Sequence, residues 1–435
     1  MDGTSNKEPA MSLFELIGAL ATIVAVFGYV NHRFIGLPDT IGITAMGLVA
    51  SLVLAVAGRR FPAVVEWASV FAARLDLPEV VFHGLLSVLL FAGSLHINIS
   101  DLARQKIPVL VLATVGVLLS TVIVGWGTHW ALAAAGTPVE LRYCLLFGAL
   151  ISPTDPIAVL GVLKTAGAPK ALSTEIAGES LFNDGTAVVA FLVLLGIATG
   201  ASEPTAGAVG MLLAREVVGA LAVGLAIGYL AFFMLRGVDS YPVEIIVTLA
   251  LATGGYSFAE RMHVSAPLAV VVMGLVIGNH GARSAMSAKT REHLFSFWEL
   301  IDEVLNLVLF GLIGLKLITL AQTAGSWGLA ALLVPVVLFA RFASVGLPAL
   351  AVGPWLKHRN PHAVKVLTWG GLRGGISVAL ALSLPPFEGR DTFVVATYAV
   401  VLFSLLVQAP TLGPLLRRLG VTAAPHERRT KKEPA

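Results

Sequence analysis

The chain has 435 residues, of which 57% are hydrophobic and only 13% charged, with a formal net charge of +3. Soluble domains carry about 25% charged residues, so this much apolar surface exceeds what a water-soluble core hides and indicates a polytopic membrane protein. The single cysteine, Cys144, excludes a disulfide framework and any cysteine-based zinc or iron–sulfur site, and the lack of a G-x-x-x-x-G-K-S/T phosphate loop argues against an ATP-driven pump.

A membrane-crossing helix needs about 20 mostly apolar residues. Taken in chain order, residues 1–11 form a short polar tail without the positive n-region of a signal peptide, so the first apolar segment is expected to stay as a span. Roughly thirteen spans are predicted, near 12–30, 41–58, 81–97, 107–135, 141–165, 175–200, 207–235, 242–260, 264–281, 298–320, 327–352, 364–386 and 392–416. Between the second and third, residues 59–78 mix Arg59, Arg60, Glu66, Arg74 and Asp76 with Phe61, Trp67 and Phe71, the pattern of an interfacial amphipathic helix. The basic tail 417–435 carries Arg417, Arg418, Arg428, Arg429, Lys431 and Lys432. Positive residues favour the cytoplasmic side, which with an odd number of spans puts the N-terminus outside. The loops are short, and the spans read as one transmembrane domain over 12–416.

A charge near the bilayer centre costs about 2.5–3.5 kcal/mol on insertion scales. Three regions carry such groups. In the fifth span Pro153 and Pro156 bracket Thr154 and Asp155. Two prolines so close unwind a helix midway, freeing carbonyls and leaving two half-helix ends, the kind of ends that bind ions. In the sixth span Glu179 and Asn183 are four residues apart, as are Ser180 and Asp184. Residues at i and i+4 share a helix face, so two adjacent polar ridges result, with oxygen donors suited to a hard cation such as Na⁺. Glu175 reads as part of a solvated helix start, whereas apolar residues run on beyond Asp184. The third region holds Arg341, inside a long apolar run, and Arg373, among Gly370, Gly371, Gly374 and Gly375. A buried arginine demands an anionic partner or a cage of carbonyls. Glu179 is the candidate partner for Arg341, and an alternative for Arg373 is to snorkel to the inner face.

The glycines make the twelfth span a second broken helix. The two breaks are seven spans apart, and an odd offset makes the elements run in opposite directions. That is the pattern of inverted repeats, here about 12–200 and 242–416, with a site where two discontinuous helices meet.

The strings SPTDPIAVL (152–160), GESLFNDGTAVV (178–189), LFARF (338–342) and GGLRGGISVALAL (370–382) together resemble the monovalent cation:proton antiporters of the CPA1 type, the NhaP-like proteins and their eukaryotic NHE relatives. Weaker likenesses are LLFAGSLHINISDL (89–102) and FWELIDEVLNLVLFGLIGL (297–315). The resemblance implies a core bundle with two crossed broken helices, a dimerisation bundle and a homodimer. It implies that Asp184 binds the cation or protons, and that Ser180, Thr154 and Asp155 contribute to a Na⁺ site. It further implies that Glu179 pairs with Arg341. Asn183 stands where electrogenic relatives carry a second aspartate, which goes with electroneutral exchange. Arg373 is implied to offset the charges of the broken-helix ends. With only residues 417–435 after the last span, the long regulatory tail of eukaryotic relatives is not expected.

The expected protein is therefore not an enzyme. It is a secondary transporter of the cell membrane that exchanges Na⁺ or Li⁺ for H⁺, with the lipid bilayer, monovalent cations and protons as partners. No cofactor and no nucleic acid are expected. K⁺/H⁺ exchange on the same fold is the alternative. A cation channel needs a continuous pore with a repeated filter, and an organic-solute carrier needs a larger hydrogen-bonding cavity than this compact cluster supplies.

Overall fold

The computed structural model describes residues 13–57, 77–200, 206–320, 326–351 and 362–421. Among them every regular element is a helix and none is a strand. Helices satisfy their backbone groups internally, which is the condition for crossing hydrocarbon. The principal ones are α1 (Leu13–Val30), α2 (Asp39–Ala57), α3 (Leu86–Leu95), α4 (Lys106–Ala134), α5 (Leu141–Ile151), α6 (Ile157–Ala166), α7 (Lys170–Ala198) and α8 (Ala206–Arg236). They continue with α9 (Tyr241–Arg261), α10 (Ala266–Ser284), α11 (Ala288–Leu320), α12 (Ser326–Ala351), α13 (Ala363–Trp369), α14 (Gly375–Leu382) and α15 (Arg390–Arg418).

Eight helices among the described residues are long and apolar enough to cross a membrane, and four shorter apolar ones join them. Each of the expected segments coincides with a helix or a broken helix. Two boundaries differ from expectation. Helix α11 begins at Ala288, ten residues early, on a charged first half that hydropathy alone reads as loop. Helix α7 begins at Lys170. The amphipathic segment 59–78 falls almost wholly outside the described residues, as do the tail 1–11 and most of the tail 417–435.

The chain divides into two compact units. The first comprises residues 1–74 and 304–321. Within it α2 and the end of α11 meet at glycines: a Cβ on Gly47 would lie 2.8 Å from the Gly314 Cα. Ser51 Oγ donates to Gly314 O at 2.9 Å across this contact. Small residues allow such close backbone approach where apolar burial alone cannot drive helix association in lipid.

The second unit comprises residues 75–303 and 322–435. Helix α5 packs between α4 and α7, α12 lies against α4 and α15, and α10 against α3 and α8. Two helices in this unit are interrupted. Residues 152–156 separate α5 from α6, at Pro153 and Pro156. Residues 370–374 separate α13 from α14 at the glycine run. The two unwound stretches touch directly, with Asp155 N–H donating to Leu372 O at 2.9 Å. Glycine is required at the crossing because a Cβ on Gly374 would run into the Asp155 carboxylate, and one on Gly371 into the Arg341 guanidinium.

Gly374→Ala is therefore expected to destabilise the protein by about 1–3 kcal/mol, the usual cost of overpacking. Gly161→Ala, in α6 with open space around it, is expected to be neutral or to stabilise by up to about 1 kcal/mol. Thermal unfolding of the two purified variants side by side checks the contrast.

Candidate functional site

The central polar residues of α7 point into protein. Glu179, Ser180 and Asn183 are 1–2% exposed and Asp184 is 7% exposed. Glu175, expected at a solvated helix start, is also buried, because the first turns of α7 lie against residues 99–111, with Gly178 close to Leu102 and Val109.

The break in α5–α6 meets one ridge of α7. Asn183 engages Thr154 twice: its Nδ2 donates to Thr154 Oγ1 at 2.7 Å, and its Oδ1 accepts from Thr154 N–H at 3.3 Å. Thr154 Oγ1 also lies 2.9 Å from Ser180 Oγ. A backbone amide that lost its helical partner through the prolines is thereby satisfied by a side chain. Asp155 Oδ1 accepts from Ile157 N–H at 2.9 Å, holding the start of α6. Acidic groups are stabilising at helix N-termini, where the unpaired N–H groups carry partial positive charge. Gly374, just before α14, abuts the same carboxylate.

The other half-helix ends carry free carbonyls, and arginines cover them. Arg373 Nη1 donates to Ser152 O and Pro153 O at 2.5 and 2.8 Å, just past the end of α5. Arg373 is 1% exposed and makes no ion pair among the described residues. It sits in a cage of carbonyls, as one of the two expected environments required, and does not snorkel. Arg341 does two things. Its Nη1 and Nη2 form a fork with Glu179 Oε1 and Oε2 at 2.5 and 3.0 Å. Its Nε and Nη2 also donate to Leu367 O at 3.2 and 3.1 Å, on α13. One side chain on α12 thus fastens α7 to the second broken helix.

Asp184 differs from all of these. It lies one turn beyond Ser180 and has neither a hydrogen bond nor an ion pair within the described residues, and the charged group acting on it is Asp155. The structure therefore brings Thr154, Ser180 and Asn183 into one hydrogen-bonded group beside Asp155 and an unengaged Asp184. Glu179, on the neighbouring ridge, faces Arg341, and Arg373 stands behind the break. Carboxylate and hydroxyl oxygens gathered in this way suit a hard monovalent cation or a proton.

Three supports of the site escaped the sequence reading. Ser152 Oγ sits 2.9 Å from Ser120 Oγ on α4 and bonds to Gly148 O at 2.7 Å, fixing the start of the break. Gln408 Nε2 donates to Trp369 O at 3.1 Å, closing the end of α13, while Ser404 Oγ donates to Gln408 Oε1 at 2.9 Å. Residues 404–408 form a π-bulge in α15, a feature frequent at functional sites. The signal for this last group was an amide within an apolar span; its partner, a backbone carbonyl, has no sequence signature.

Arg341→Ala leaves Glu179 buried without its counter-ion and Leu367 O without its donors. The expected loss is about 3–5 kcal/mol, the range for breaking a buried pair. Glu179→Gln combined with Arg341→Met removes both charges and is expected to recover much of it. A melting temperature of Arg341→Ala equal to the parent's would refute the pairing as a stabilising one.

A model of the family described as sodium/hydrogen exchanger, transmembrane, matches residues 20–418. The chain is 48% identical over 412 residues to the Na(+)/H(+) antiporter NhaP of Pseudomonas aeruginosa, covering 94% of this chain and 97% of that protein. It is 36% identical over 391 residues to the Na(+)/H(+) antiporter NhaH of Halobacillus dabanensis, covering 88% of this chain and 92% of that one. Among solved structures, the sodium proton antiporter MjNhaP1 of Methanocaldococcus jannaschii superimposes with a TM-score of 0.73 at 20% identity, covering 94% of this chain and 99% of the other. That likeness concerns the fold.

Proposed function

The chain belongs to the sodium/hydrogen exchanger family of multi-pass membrane transporters, and on that premise we propose that it exchanges Na⁺ or Li⁺ for H⁺, one for one, by alternating access around Asp184. The observation that carries this reading is a buried aspartate with no partner among the described residues, one helical turn from the Ser180–Thr154 hydroxyl pair, beside a crossing of two unwound helices.

Charge balance supports the stoichiometry. Where the two breaks meet α7 stand three carboxylates, on Asp155, Glu179 and Asp184, against two guanidiniums, on Arg341 and Arg373; the buried Glu175 lies a turn earlier on α7, outside this group. Fully ionised, the group carries one negative charge in excess. One alkali cation or one proton neutralises it, and both together overshoot. Burial makes either imbalance costly, so the two ions compete for one vacancy. Asn183, neutral and committed to Thr154, adds no further charge.

In the cycle, Asp184 releases its proton on one side and receives a cation with help from Ser180, Thr154 and Asp155. The unit carrying the crossing then exposes the site to the other side, where a proton displaces the cation. Glu179 stays held by Arg341, and Arg373 stays on the carbonyls of Ser152 and Pro153, so neither competes for the cargo. The protein works as a homodimer in the cell membrane, its N-terminus outside and its basic C-terminus in the cytoplasm. Net charge moved per cycle is zero, so a pH difference of one unit, about 1.4 kcal/mol, sustains at most a roughly tenfold cation ratio.

The test is cation-triggered dequenching of a pH-sensitive dye in proteoliposomes, for Na⁺, Li⁺ and K⁺ separately, with and without a potential clamp. Responses to Na⁺ and Li⁺ that ignore the clamp are expected. A response to K⁺ alone changes the cargo, and a response that follows the clamp overturns one-for-one exchange. Asp184→Asn is expected to abolish exchange with the fold intact. Transport by that variant at the parent rate would rule out Asp184 as the carrier group.

A further inference from the structure

Outside the central cluster, the Glu244 carboxylate, in a membrane-spanning helix, has no counter-ion among the described residues. Glu244 lies in the first turn of α9 and is 0% exposed. Neither of its carboxylate oxygens has a hydrogen-bond partner. Two weaker contacts do reach it, from the Thr290 hydroxyl and the Ser240 backbone amide, short of good hydrogen-bond geometry. Thr290 Oγ1 is already engaged, with Ser287 O at 3.2 Å and Ser287 Oγ at 3.0 Å.

The helices around Glu244 seal it without offering a counter-charge. One turn on, Thr248 Oγ1 accepts from Trp298 Nε1 at 3.0 Å, and both residues are fully buried. At the helix start the Tyr241 ring lies against His293, their centroids 4.8 Å apart. The charged or titratable groups on the elements packed there are Asp239 in the preceding loop, Arg236 at the end of α8, and Lys289, Arg291, Glu292 and His293 on the first turns of α11. All six are exposed. Of these, Asp239 acts on Glu244, and its charge has the same sign. The amide dipoles of the α9 start favour a negative charge, but that contribution is small beside the cost of an ionised carboxylate buried with only these two weak contacts and no counter-ion.

We propose that Glu244 is a second binding site for one positive charge, a proton or an alkali cation, at the seam between α9 and residues 288–303, separate from the site at Asp184. Helices α8 and α11, which flank it, carry none of the central residues. An ionisable residue within a membrane span that serves no ion pair is by default a functional group. The charge balance of the central cluster needs nothing from it, so the two sites fill independently.

Infrared difference spectroscopy of the purified full-length protein separates the two sources of charge. In one arm the pH is stepped in choline buffer free of alkali cations. In the other, Na⁺, Li⁺ or K⁺ is added at constant pH. One arm is expected to show a carboxyl signal that is lost in Glu244→Gln, shifted in Glu244→Asp and retained in Asp184→Asn. A signal in the pH arm identifies the proton, and one in the cation arm identifies the alkali ion. Spectra of Glu244→Gln and Glu244→Asp that both match the parent in both arms overturn the site. The readout needs no transport, so it stands whether or not the exchange reading does.

Discussion

Unwinding a helix inside hydrocarbon exposes peptide groups that water cannot reach, and each one left bare costs several kcal/mol. Two such interruptions exist here, and the second unit is arranged around making them tolerable. They are placed against each other so that the amide of Asp155 answers the carbonyl of Leu372. The Asp155 carboxylate caps the start of α6 and lies against Gly374 at the start of α14, and the half-helix ends are covered by Arg373 and Arg341. The glycines at the crossing follow from the same demand, since backbones in contact leave no room for a Cβ.

This arrangement explains why the cluster needs both signs of charge. Arginines cover carbonyls because a permanent cation is the strongest donor available for that task. Each brings a positive charge that must be offset. Glu179 offsets Arg341 through a two-pronged contact, while Arg373 relies on carbonyl dipoles. At the crossing itself Asp155, Glu179 and Asp184 exceed the two guanidiniums by one, and Asp184 is the one that no side chain engages among the described residues. A structural requirement of the broken helices and the site proposed for one mobile positive charge thus involve the same set of residues.

The supporting shell stiffens the site. Asn183 spends its amide on Thr154, Ser152 is gripped from α4, and Gln408 closes α13 from a π-bulge in α15. The prolines contribute from the other direction. Having removed the helical hydrogen bonds of residues 152–156, they leave a joint whose remaining bonds are few and made to side chains, and such joints are where a transporter can move.

Much of this was legible in the sequence, for reasons of solvent. In hydrocarbon a polar residue is conspicuous, so Thr154, Asp155, Glu179, Ser180, Asn183, Asp184, Arg341 and Arg373 stand out from the apolar runs around them. Proline and glycine breaks are read directly because their effect on the backbone is local. Helical period alone puts Ser180 and Asp184 on one ridge and Glu179 on the next. The burial of Glu175 and the early start of α11 were not legible, because a charged helical turn looks the same in sequence whether water or protein covers it. Nor were the partners that are backbone atoms. The carbonyls of Ser152, Pro153, Leu367, Leu372 and Trp369 belong to every residue type alike, and only the tertiary packing decides which of them an arginine, an amide or a glutamine reaches. The sequence by itself determined which side chains are too costly to be idle in a membrane; the fold decided which of them neutralise one another and which, like Asp184 and Glu244, are left without a counter-ion among the described residues.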